Sequence, residues 1–479
     1  MALHDRLPVV IVGGGVAALE ALLALRALAE YLVDITLVSP VREFVYRPVT
    51  VAEAFDVAEA RTYDLGAILA DQGGGELIQD MLGAVDPGER VAVTTSGRRI
   101  RFGALIIATG AIPRAGLEGA LTFRGRGDVP ALRGVLQDLL DGRARSVAFA
   151  LLTERTWPLP LYELALMTAG HLRERRATAA RVMLVTPEDE PLELFGPAAS
   201  AAIGPLLAAR GITVRTSSRP ASVHDRFLRL AGGAEIRADR VVALPVLEGP
   251  RVPGLPHDEH GFIPTDAFGR VSGLEDIYAA GDVTAFPLKQ GGLAAQQADA
   301  VAALVAARAG ALSVPKPFAP VLRGLLLTGG APLYLRAEPQ RLPREATVAI
   351  EARPVQSARR DSSAAAGQAL WWPPAKVAGR YLAPYLSTAR PAPLAAGVLA
   401  DRVPVAGPPV ADEDQQEALE LALLLADSDA RWGDYASALN ALDAAEALEG
   451  ALPPEYEAKR RAWLADEQLG AADVGELAP

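Results

Sequence analysis

A glycine-rich turn near the start of the chain has the spacing of a dinucleotide-binding site. Residues 9–18 read Val-Val-Ile-Val-Gly-Gly-Gly-Val-Ala-Ala and fit the pattern G-x-G-x-x-G/A between a strand and a helix. In this pattern Gly13 permits a tight turn, Gly15 lets the backbone approach a pyrophosphate, and Ala18 leaves room for helix–strand packing. The pyrophosphate would lie at the positive N-terminus of the helix. The predicted contacts are Gly13, Gly15, Val16, Ala17 and Ala18.

The end of the next predicted strand usually carries an acid that binds a ribose, and here Ser39 stands at that position. A hydroxyl can bond a ribose, although less strongly than a carboxylate. Arg42 and Arg47 follow closely and could hold phosphates. A solvated surface role for either arginine is an equal alternative.

Two further strands run into turns of small residues. Residues 105–111 read Leu-Ile-Ile-Ala-Thr-Gly-Ala, and residues 277–283 read Ile-Tyr-Ala-Ala-Gly-Asp-Val. Asp282 could accept hydrogen bonds from ribityl hydroxyls, and Gly281 allows close approach of a ligand. The residues predicted to contact a cofactor from these turns are Ala108, Thr109, Gly110, Gly281 and Asp282.

These motifs, in this order and spacing, resemble the FAD-dependent pyridine nucleotide-disulfide oxidoreductase superfamily. The segments 35–40, 44–48 and 288–297 support the resemblance, which runs from about residue 7 to residue 330 and is nearest the sulfide:quinone oxidoreductases and type II NADH dehydrogenases. The resemblance implies FAD as the cofactor and adds Val85 to its contacts. It also implies an α/β fold with two Rossmann-like domains, the FAD domain being split around an NAD-type domain.

In the resembled family, the segment around residue 290 opens a helix whose N-terminus faces the flavin pyrimidine. A helix N-terminus favours negative charge on such a group. The resemblance thus implies cofactor contacts for Gln290 and Gly291, and catalytic, polarising roles for Lys289 and Gln290; a surface role for Lys289 is an equal alternative. Type II NADH dehydrogenases line a quinone pocket with two glutamines on this helix. Gln296 keeps the second, whereas Gly292 replaces the first.

The turn expected to bind NAD(P)H departs from the family pattern. No glycine occurs between Ser146 and Gly170, and Pro158, Pro160 and Glu154 would obstruct or repel a pyrophosphate. The whole chain contains no cysteine, so persulfide and disulfide chemistry is excluded. The five histidines have no metal-ligand spacing, and no metal site is predicted. We therefore expect an electron donor other than NAD(P)H.

The elements that must position these residues form two βαβ units. The first comprises a strand at 7–12, a helix at 16–30 and a strand at 35–38; the second comprises a strand at 147–150, a helix at 161–174 and a strand at 182–185. A short strand at 276–280 and a helix at 291–309 follow. The predicted domains are an FAD domain at 1–115 and 254–317, an NAD-type domain at 116–253, a cap at 318–394, a linker at 395–410 and a helical tail at 411–479.

Charge is concentrated in the tail of this 479-residue chain. Residues 411–479 hold 17 Asp and Glu and 4 Lys and Arg, a balance of −13, which leaves +2 for the remainder of a chain with net charge −11. Without a basic stripe, nucleic acid is not an expected partner. The passage from Trp432 to Ala445 resembles one tetratricopeptide unit. It could be an acidic module that docks a partner protein, or a helical hairpin packed on the body or on a second subunit.

No stretch is apolar enough to cross a membrane, so a cytoplasmic protein is expected, with peripheral membrane association as an alternative. Tyr381, Leu382, Tyr385 and Leu386 could form a membrane-surface face, but packing is the favoured interpretation, as it is for Trp371 and Trp372. The first functional hypothesis is an FAD-dependent enzyme that passes electrons from a donor to an acceptor, which could be a small molecule, a carrier protein or a quinone. The second is an FAD-binding scaffold or redox sensor that recruits a partner through its tail.

Overall fold

A computed structural model describes most of the body and part of the tail. The described residues are 6–177, 179–329, 332–338, 363–364, 376, 379–388, 423, 426, 439, 442, 445–446 and 451–473. The predicted linker at 395–410 lies outside them, as do Trp371, Trp372, Trp432 and Tyr435.

The strands of the described residues are, in chain order, β1 Leu7–Val12, β2 Val33–Ser39, β3 Glu43–Val45, β4 Thr62–Asp64, β5 Glu76–Gln79, β6 Leu82–Asp86, β7 Val91–Thr94, β8 Arg99–Arg101, β9 Ala104–Ile107, β10 Ile112–Arg114, β11 Leu121–Thr122, β12 Ser146–Ala150, β13 Arg181–Val185, β14 Ile212–Arg215, β15 Pro220–His224, β16 Phe227–Leu230, β17 Glu235–Arg237, β18 Arg240–Ala243, β19 Val246–Glu248, β20 Ile277–Ala279, β21 Leu322–Leu326, β22 Leu333–Ala337 and β23 Ser363–Ala364. The α-helices are α1 Val16–Ala29, α2 Thr50–Glu53, α3 Leu65–Asp71, α4 Val129–Leu140, α5 Leu159–Glu174, α6 Pro197–Ala209, α7 Gly291–Arg308, α8 Leu382–Thr388 and α9 Pro454–Asp473. The predicted elements of both βαβ units are confirmed to within two residues.

The first Rossmann domain is built on a parallel sheet with strand order β20-β9-β1-β2-β5. Residues 9–12 of β1 are buried, as expected for a central strand covered on both faces. Helices α1 and α7 pack together on one face through small and aliphatic side chains. Because parallel strands end at the same edge, the turns after β1, β2, β9 and β20 meet there. This edge is where the predicted cofactor contacts belong.

The second Rossmann domain has a parallel sheet with strand order β11-β18-β12-β13-β14. The chain enters the domain after β10 and leaves it through β19, and these two strands pair antiparallel. Helix α5 is buried along most of its length and contacts both this sheet and β21 of the cap. The cap strand therefore shares the hydrophobic core of the second domain.

Helix α8 packs on the first domain. Leu382 and Leu386 are buried in the core that contains α1 and α7, and the hydroxyl of Tyr385 donates to Asp71 at 2.9 Å. Packing rather than membrane contact therefore accounts for this segment. None of the helices in the described ranges is long and apolar enough to cross a membrane.

The described tail residues form a small core of their own. Ala426, Leu442, Ala445 and Leu452 are buried together, with Tyr456 and Trp463 of α9 packed against them. The core cluster contains no residue of the body.

Candidate functional site

The turn between β1 and α1 combines a crowded glycine with an open one. Gly13 has φ 134°, and a Cβ added there would lie 2.1 Å from the carbonyl oxygen of Ala108. Gly15 is the N-cap of α1, and a Cβ added there would have no atom of the described residues within 4 Å. No side chain caps the first turn of α1. The first glycine is therefore required by the fold, whereas the space beside Gly15 is left for a ligand.

Helix α1 is anchored below this space by its small residues. Ala18 is fully buried and Ala17 nearly so, while Val16 is half-buried. The N–H groups of the first turn point along the helix axis toward the open side of Gly15. They form an anion site of the kind that holds a pyrophosphate.

Ser39 and the two arginines occupy different parts of the carboxyl edge. Ser39 is buried, and its hydroxyl donates to the carbonyl oxygen of Val41 at 2.8 Å, so its proton is used within the turn. Arg42 is exposed and lies 3.7 Å from the carboxylate of Asp64. Arg47 is exposed at the start of a short 3-10 turn and faces Asp282 closely enough to lower the pKa of that carboxyl. Of the two arginines, Arg47 lies near Asp282, in the predicted contact turn after β20.

The turn after β9 lies against the first glycine turn. Ala108 donates its backbone N–H to Val12 at 2.7 Å, Thr109 is exposed, and Gly110 has φ 72° with open space at its Cβ position. Val85 lies on β6, where it is buried in the same core cluster as Val12 and Ile107 and its backbone N–H donates to the carbonyl oxygen of Pro253 at 2.9 Å. The structure therefore brings Thr109 and Gly110 to the open edge and gives Val85 a packing contact.

The turn after β20 is held by a side chain of α7. The backbone N–H of Gly281 donates to Oε1 of the buried Gln297 at 2.7 Å, and a Cβ at Gly281 would lie 2.9 Å from the Cβ of Ala17. Asp282 follows with its carboxyl half-buried. Burial raises the pKa of Asp282, while Lys289 and then Arg47 lower it. The carboxylate thus lies between two cations at the carboxyl edge.

Lys289 is buried, with only 4 % of its surface exposed. Its Nζ donates to the carbonyl oxygen of Thr284 and lies 3.7 Å from the ring centroid of Phe262. Burial lowers the pKa of Lys289 to about 7, Asp282 opposes the shift, and the Arg155 guanidinium adds to it. Lys289 is therefore not a surface lysine, and its amine can gain or lose a proton near neutral pH.

Gln290 caps the helix that follows. Its Oε1 accepts from the backbone N–H of Leu293 at 2.7 Å, and its Nε2 donates to the carbonyl oxygen of Arg323 at 3.1 Å. The side chain thus fixes the start of α7 at Gly291 and ties it to cap strand β21. Gln290 positions the helix N-terminus through these bonds.

Gln296, the residue matched to a quinone-binding glutamine, is fully engaged with the backbone. Its Nε2 donates to the carbonyl oxygens of Gly292 and Val321 at 3.1 and 2.8 Å, and its Oε1 accepts from the N–H of Val321 at 2.9 Å. The amide therefore holds the cap on α7.

The carboxyl edge of the first sheet fits FAD. It offers an uncapped helix N-terminus beside an open glycine for the pyrophosphate, a half-buried carboxylate at Asp282 for hydroxyl groups, and a second helix N-terminus at Gly291. At Gly15 and Gly110 no atom of the described residues would lie within 4 Å of an added Cβ, so the backbone there is accessible to a ligand.

The corresponding turn of the second domain is closed. Trp157 packs on Phe195 with ring centroids 5.5 Å apart, and Leu159, the first residue of α5, is 2 % exposed. A Cβ at Gly324 of β21 would lie 2.8 Å from Leu159 and 3.0 Å from Phe195. Pro160, in the first turn of α5, lacks an N–H. The position where a second pyrophosphate would lie is filled by protein.

The acid that could bind a ribose in the second domain is also enclosed. Glu188 follows β13, and its Oε2 accepts from the hydroxyls of Tyr162 at 2.6 Å and Thr186 at 2.7 Å. Burial raises the pKa of Glu188 to about 7. The Tyr162 hydroxyl also accepts from the backbone N–H of Leu192 at 3.2 Å, which closes the loop over the carboxyl group.

Sequence reasoning missed several residues that complete the site. Phe262 and Thr284 hold the amine of Lys289, and Gln297 orients the turn at Gly281. The position of Gln297 on the face of α7 toward β20 is a helical-spacing signal that could have identified it. Phe262 precedes β20 and Lys289 follows it, so only the fold brings them together.

Comparisons with solved structures agree with this architecture. The chain is similar to the sulfide:quinone oxidoreductase from the hyperthermophilic bacterium Aquifex aeolicus, at 20% identity and a TM-score of 0.65, over 70% of this chain and 84% of that one. It is also similar to a ferredoxin reductase for the CYP199A2 system from Rhodopseudomonas palustris, at 21% identity and a TM-score of 0.53, over 68% and 81% of the two chains. At these identities the likeness shows the fold. No curated protein matches the chain significantly.

The family comparison covers both Rossmann domains. Residues 7–143 and 163–305 match the pyridine nucleotide-disulphide oxidoreductase family, and the interruption at 144–162 contains the closed turn of the second domain. Members of this family are FAD-binding oxidoreductases. With both Rossmann sheets and the open first turn in place, the chain belongs to the pyridine nucleotide-disulphide oxidoreductase family.

Proposed function

We propose that this flavoprotein accepts electrons from a donor other than NAD(P)H and passes them through FAD to a second redox partner. The observation that carries the proposal is the contrast between the two turns. The turn at Gly15 is open, whereas the turn before α5 is filled by Trp157, Phe195 and the cap. A protein that kept FAD but lost its nicotinamide site must take electrons from elsewhere.

The residues of the chain contribute binding and electrostatics. When bound, FAD supplies the electron-carrying group. The first turn of α1 would hold the pyrophosphate, Asp282 would accept hydrogen bonds from hydroxyl groups, and the N-terminus of α7 would supply positive potential to the ring system. Lys289 holds a proton at Nζ between Thr284 and Asp282, and near neutral pH it can release that proton. We propose Lys289 as the residue that polarises the site, with Gln290 as a positioning residue.

A quinone and a carrier protein are both candidate partners. The fold likeness to a sulfide:quinone oxidoreductase supports a quinone, and the likeness to a ferredoxin reductase supports a carrier protein. The engaged amide of Gln296 argues against the two-glutamine quinone pocket of type II NADH dehydrogenases. We therefore place a quinone, if it binds, at another surface of the flavin.

The test is anaerobic mixing of the FAD-loaded protein with NADH, NADPH, sulfide, a water-soluble quinol and a reduced ferredoxin. We expect no loss of flavin colour with either nicotinamide nucleotide and rapid loss with another donor. Dithionite serves as the positive control for a reducible flavin. Rapid bleaching by micromolar NADH would contradict the proposal, and a flavin reduced only by dithionite would favour the scaffold or sensor alternative.

A further inference from the structure

One edge of the second Rossmann domain carries exposed arginines whose guanidinium groups form no ion pair with the residues that the structure describes. Arg173 lies in the last turn of α5, Arg175 and Arg176 follow it, and Arg181 begins β13. Arg145 precedes β12, and the N–H of Arg181 donates to its carbonyl oxygen at 2.9 Å. Because α5 runs back to the start of β13, its C-terminus lies at the amino edge of the sheet. We call these five residues the arginine edge.

The arginine edge differs from the other cationic surfaces of this domain. Arg143, two residues before Arg145, pairs with Asp138 at 2.8 Å and with Asp141 at 2.6 Å. Within residues 6–177 and 179–329, no carboxylate forms an ion pair with a guanidinium group of the edge, although the backbone N–H of Arg145 donates to Asp239 at 2.7 Å and Glu174 lies between Arg173 and Arg175. The edge therefore carries unneutralised positive charge.

The helix dipole explains only part of this charge. Basic residues are favoured in the last turn of a helix, and Arg173 at the end of α5 fits that preference. Arg145 and Arg181 begin or precede strands, where no helix terminus requires them. Together with the end of α5 they place five exposed arginines at the amino edge of the sheet, an excess of positive charge that favours an acidic partner.

The chain itself contains the counter-charge. The tail at 411–479 has a balance of −13, whereas the rest of the chain has a balance of +2. The apolar side chains of the described tail residues pack on one another, around Leu442 and Ala445, rather than on a core of the body. A contact of the tail with the body can then draw on its 17 acidic residues.

We propose that the arginine edge is the docking surface for the acidic tail at 411–479, supplied by the same molecule or by a second copy. The inference is independent of the redox proposal, because the edge lies at the opposite end of the sheet from the turn at Trp157. Charge complementarity determines the choice of occupant.

The test introduces one lysine at a time into the full-length, FAD-loaded protein. A carbodiimide joins lysine amines to carboxylates but does not react with arginine in this way, so Arg175→Lys and Arg181→Lys convert the edge into a reporter without changing its charge. We expect both variants to form crosslinks to peptides of residues 411–479. Arg99→Lys on β8, which is also exposed, is the matched control and should form none.

Salt and labelling complete the test. The crosslinks should be lost in 1 M salt, where the screening length falls to about 3 Å. Mixing normal and heavy-nitrogen-labelled protein distinguishes a tail from the same molecule from a tail of a second copy. The proposal is overturned if the edge lysines join only body carboxylates, or if Arg99→Lys joins the tail equally.

A charge reversal provides a second readout. Combined Arg173→Glu, Arg175→Glu and Arg176→Glu should release the tail and increase its rate of proteolysis, with FAD still bound. An unchanged rate would contradict the proposal. Loss of binding to phosphatidylserine vesicles in this variant, without tail crosslinks in the lysine variants, would instead identify the edge as a lipid-binding surface and overturn the proposal.

Discussion

At the scale of single residues, the site depends on one buried cation and two glycines with opposite requirements. Lys289 is enclosed by Phe262, Thr284 and Asp282, so most of the water that would stabilise its charge is excluded. A Cβ at Gly13 would clash with the backbone of Ala108, whereas a Cβ at Gly15 would contact no atom of the described residues. The empty space at Gly15 therefore identifies a position reserved for a ligand.

The free energy of unfolding should depend on pH through the ionisation of Lys289. Its pKa is about 7 in the folded protein and near 10.4 in an unfolded chain, so the unfolded state binds more protons between these values. Stability should therefore rise with pH in this window. In urea unfolding of the apoprotein at pH 7, 8 and 9, we expect the wild type to gain about 1 kcal/mol per pH unit relative to Lys289→Met. Lys316→Met, at an exposed lysine, is the control, and parallel curves for wild type and Lys289→Met would contradict the prediction.

Gly15→Val should separate ligand binding from folding. Gly15 has φ −100°, which a valine can adopt, and no atom of the described residues lies within 4 Å of the position of its Cβ. The apoprotein should keep its melting temperature, while FAD binding weakens by about 1–3 kcal/mol through steric overlap. Isothermal titration with FAD measures the loss, and Gly134→Val in α4 should bind normally. Normal binding by Gly15→Val would place the pyrophosphate elsewhere.

At the scale of elements, α5 attaches the cap to the second Rossmann domain. Its first turn is covered by β21, and Glu163 in its second turn is fully buried. Glu163 accepts from the N–H of Leu327 at 2.9 Å and from Nζ of Lys376 at 2.5 Å. Burial raises the pKa of Glu163, and the Lys376 ammonium opposes that shift.

Removing this acid should be costly, because Lys376 would remain buried without a counter-charge. We expect Glu163→Ala to lower the free energy of unfolding by about 3–5 kcal/mol. Glu174→Ala, an exposed change on the same helix, should alter it by less than about 0.5 kcal/mol. Urea midpoints of the three proteins measure the difference. Equal midpoints would show that the ion pair does not attach the cap.

At the scale of the whole molecule, the described residues of the body and of the tail have separate cores. The clusters that include the two sheets contain residues of the body and cap, whereas the tail cluster contains only tail residues. All of the residues at the carboxyl edge of the first sheet, where FAD would bind, precede residue 300.

Truncation after Pro409 should therefore leave the flavoprotein body intact. We expect the shortened protein to retain FAD and to keep a melting temperature close to that of the full chain, because few contacts cross such a boundary. Flavin fluorescence and near-ultraviolet circular dichroism measure the two properties. Loss of FAD or aggregation of the shortened protein would show that the tail belongs to the structural core.

The sequence by itself determined the two Rossmann units and the open first turn. Alternating strands and helices have local periodicity, and Gly13 and Gly15 are separated by a fixed spacing that the turn geometry requires. The sequence also shows that the second turn contains no glycine between Ser146 and Gly170. These features are local, so they can be identified without knowing which distant residues meet.

Tertiary structure alone decided how the remaining residues are used. Burial lowers the pKa of Lys289, and the guanidinium of Arg155, which is distant in sequence, adds to that shift. Gln296, matched to a quinone ligand by its place on a helix, instead bonds the backbone of Val321. The roles of such side chains depend on desolvation and on partners brought by other elements, and no periodicity in the sequence encodes those contacts.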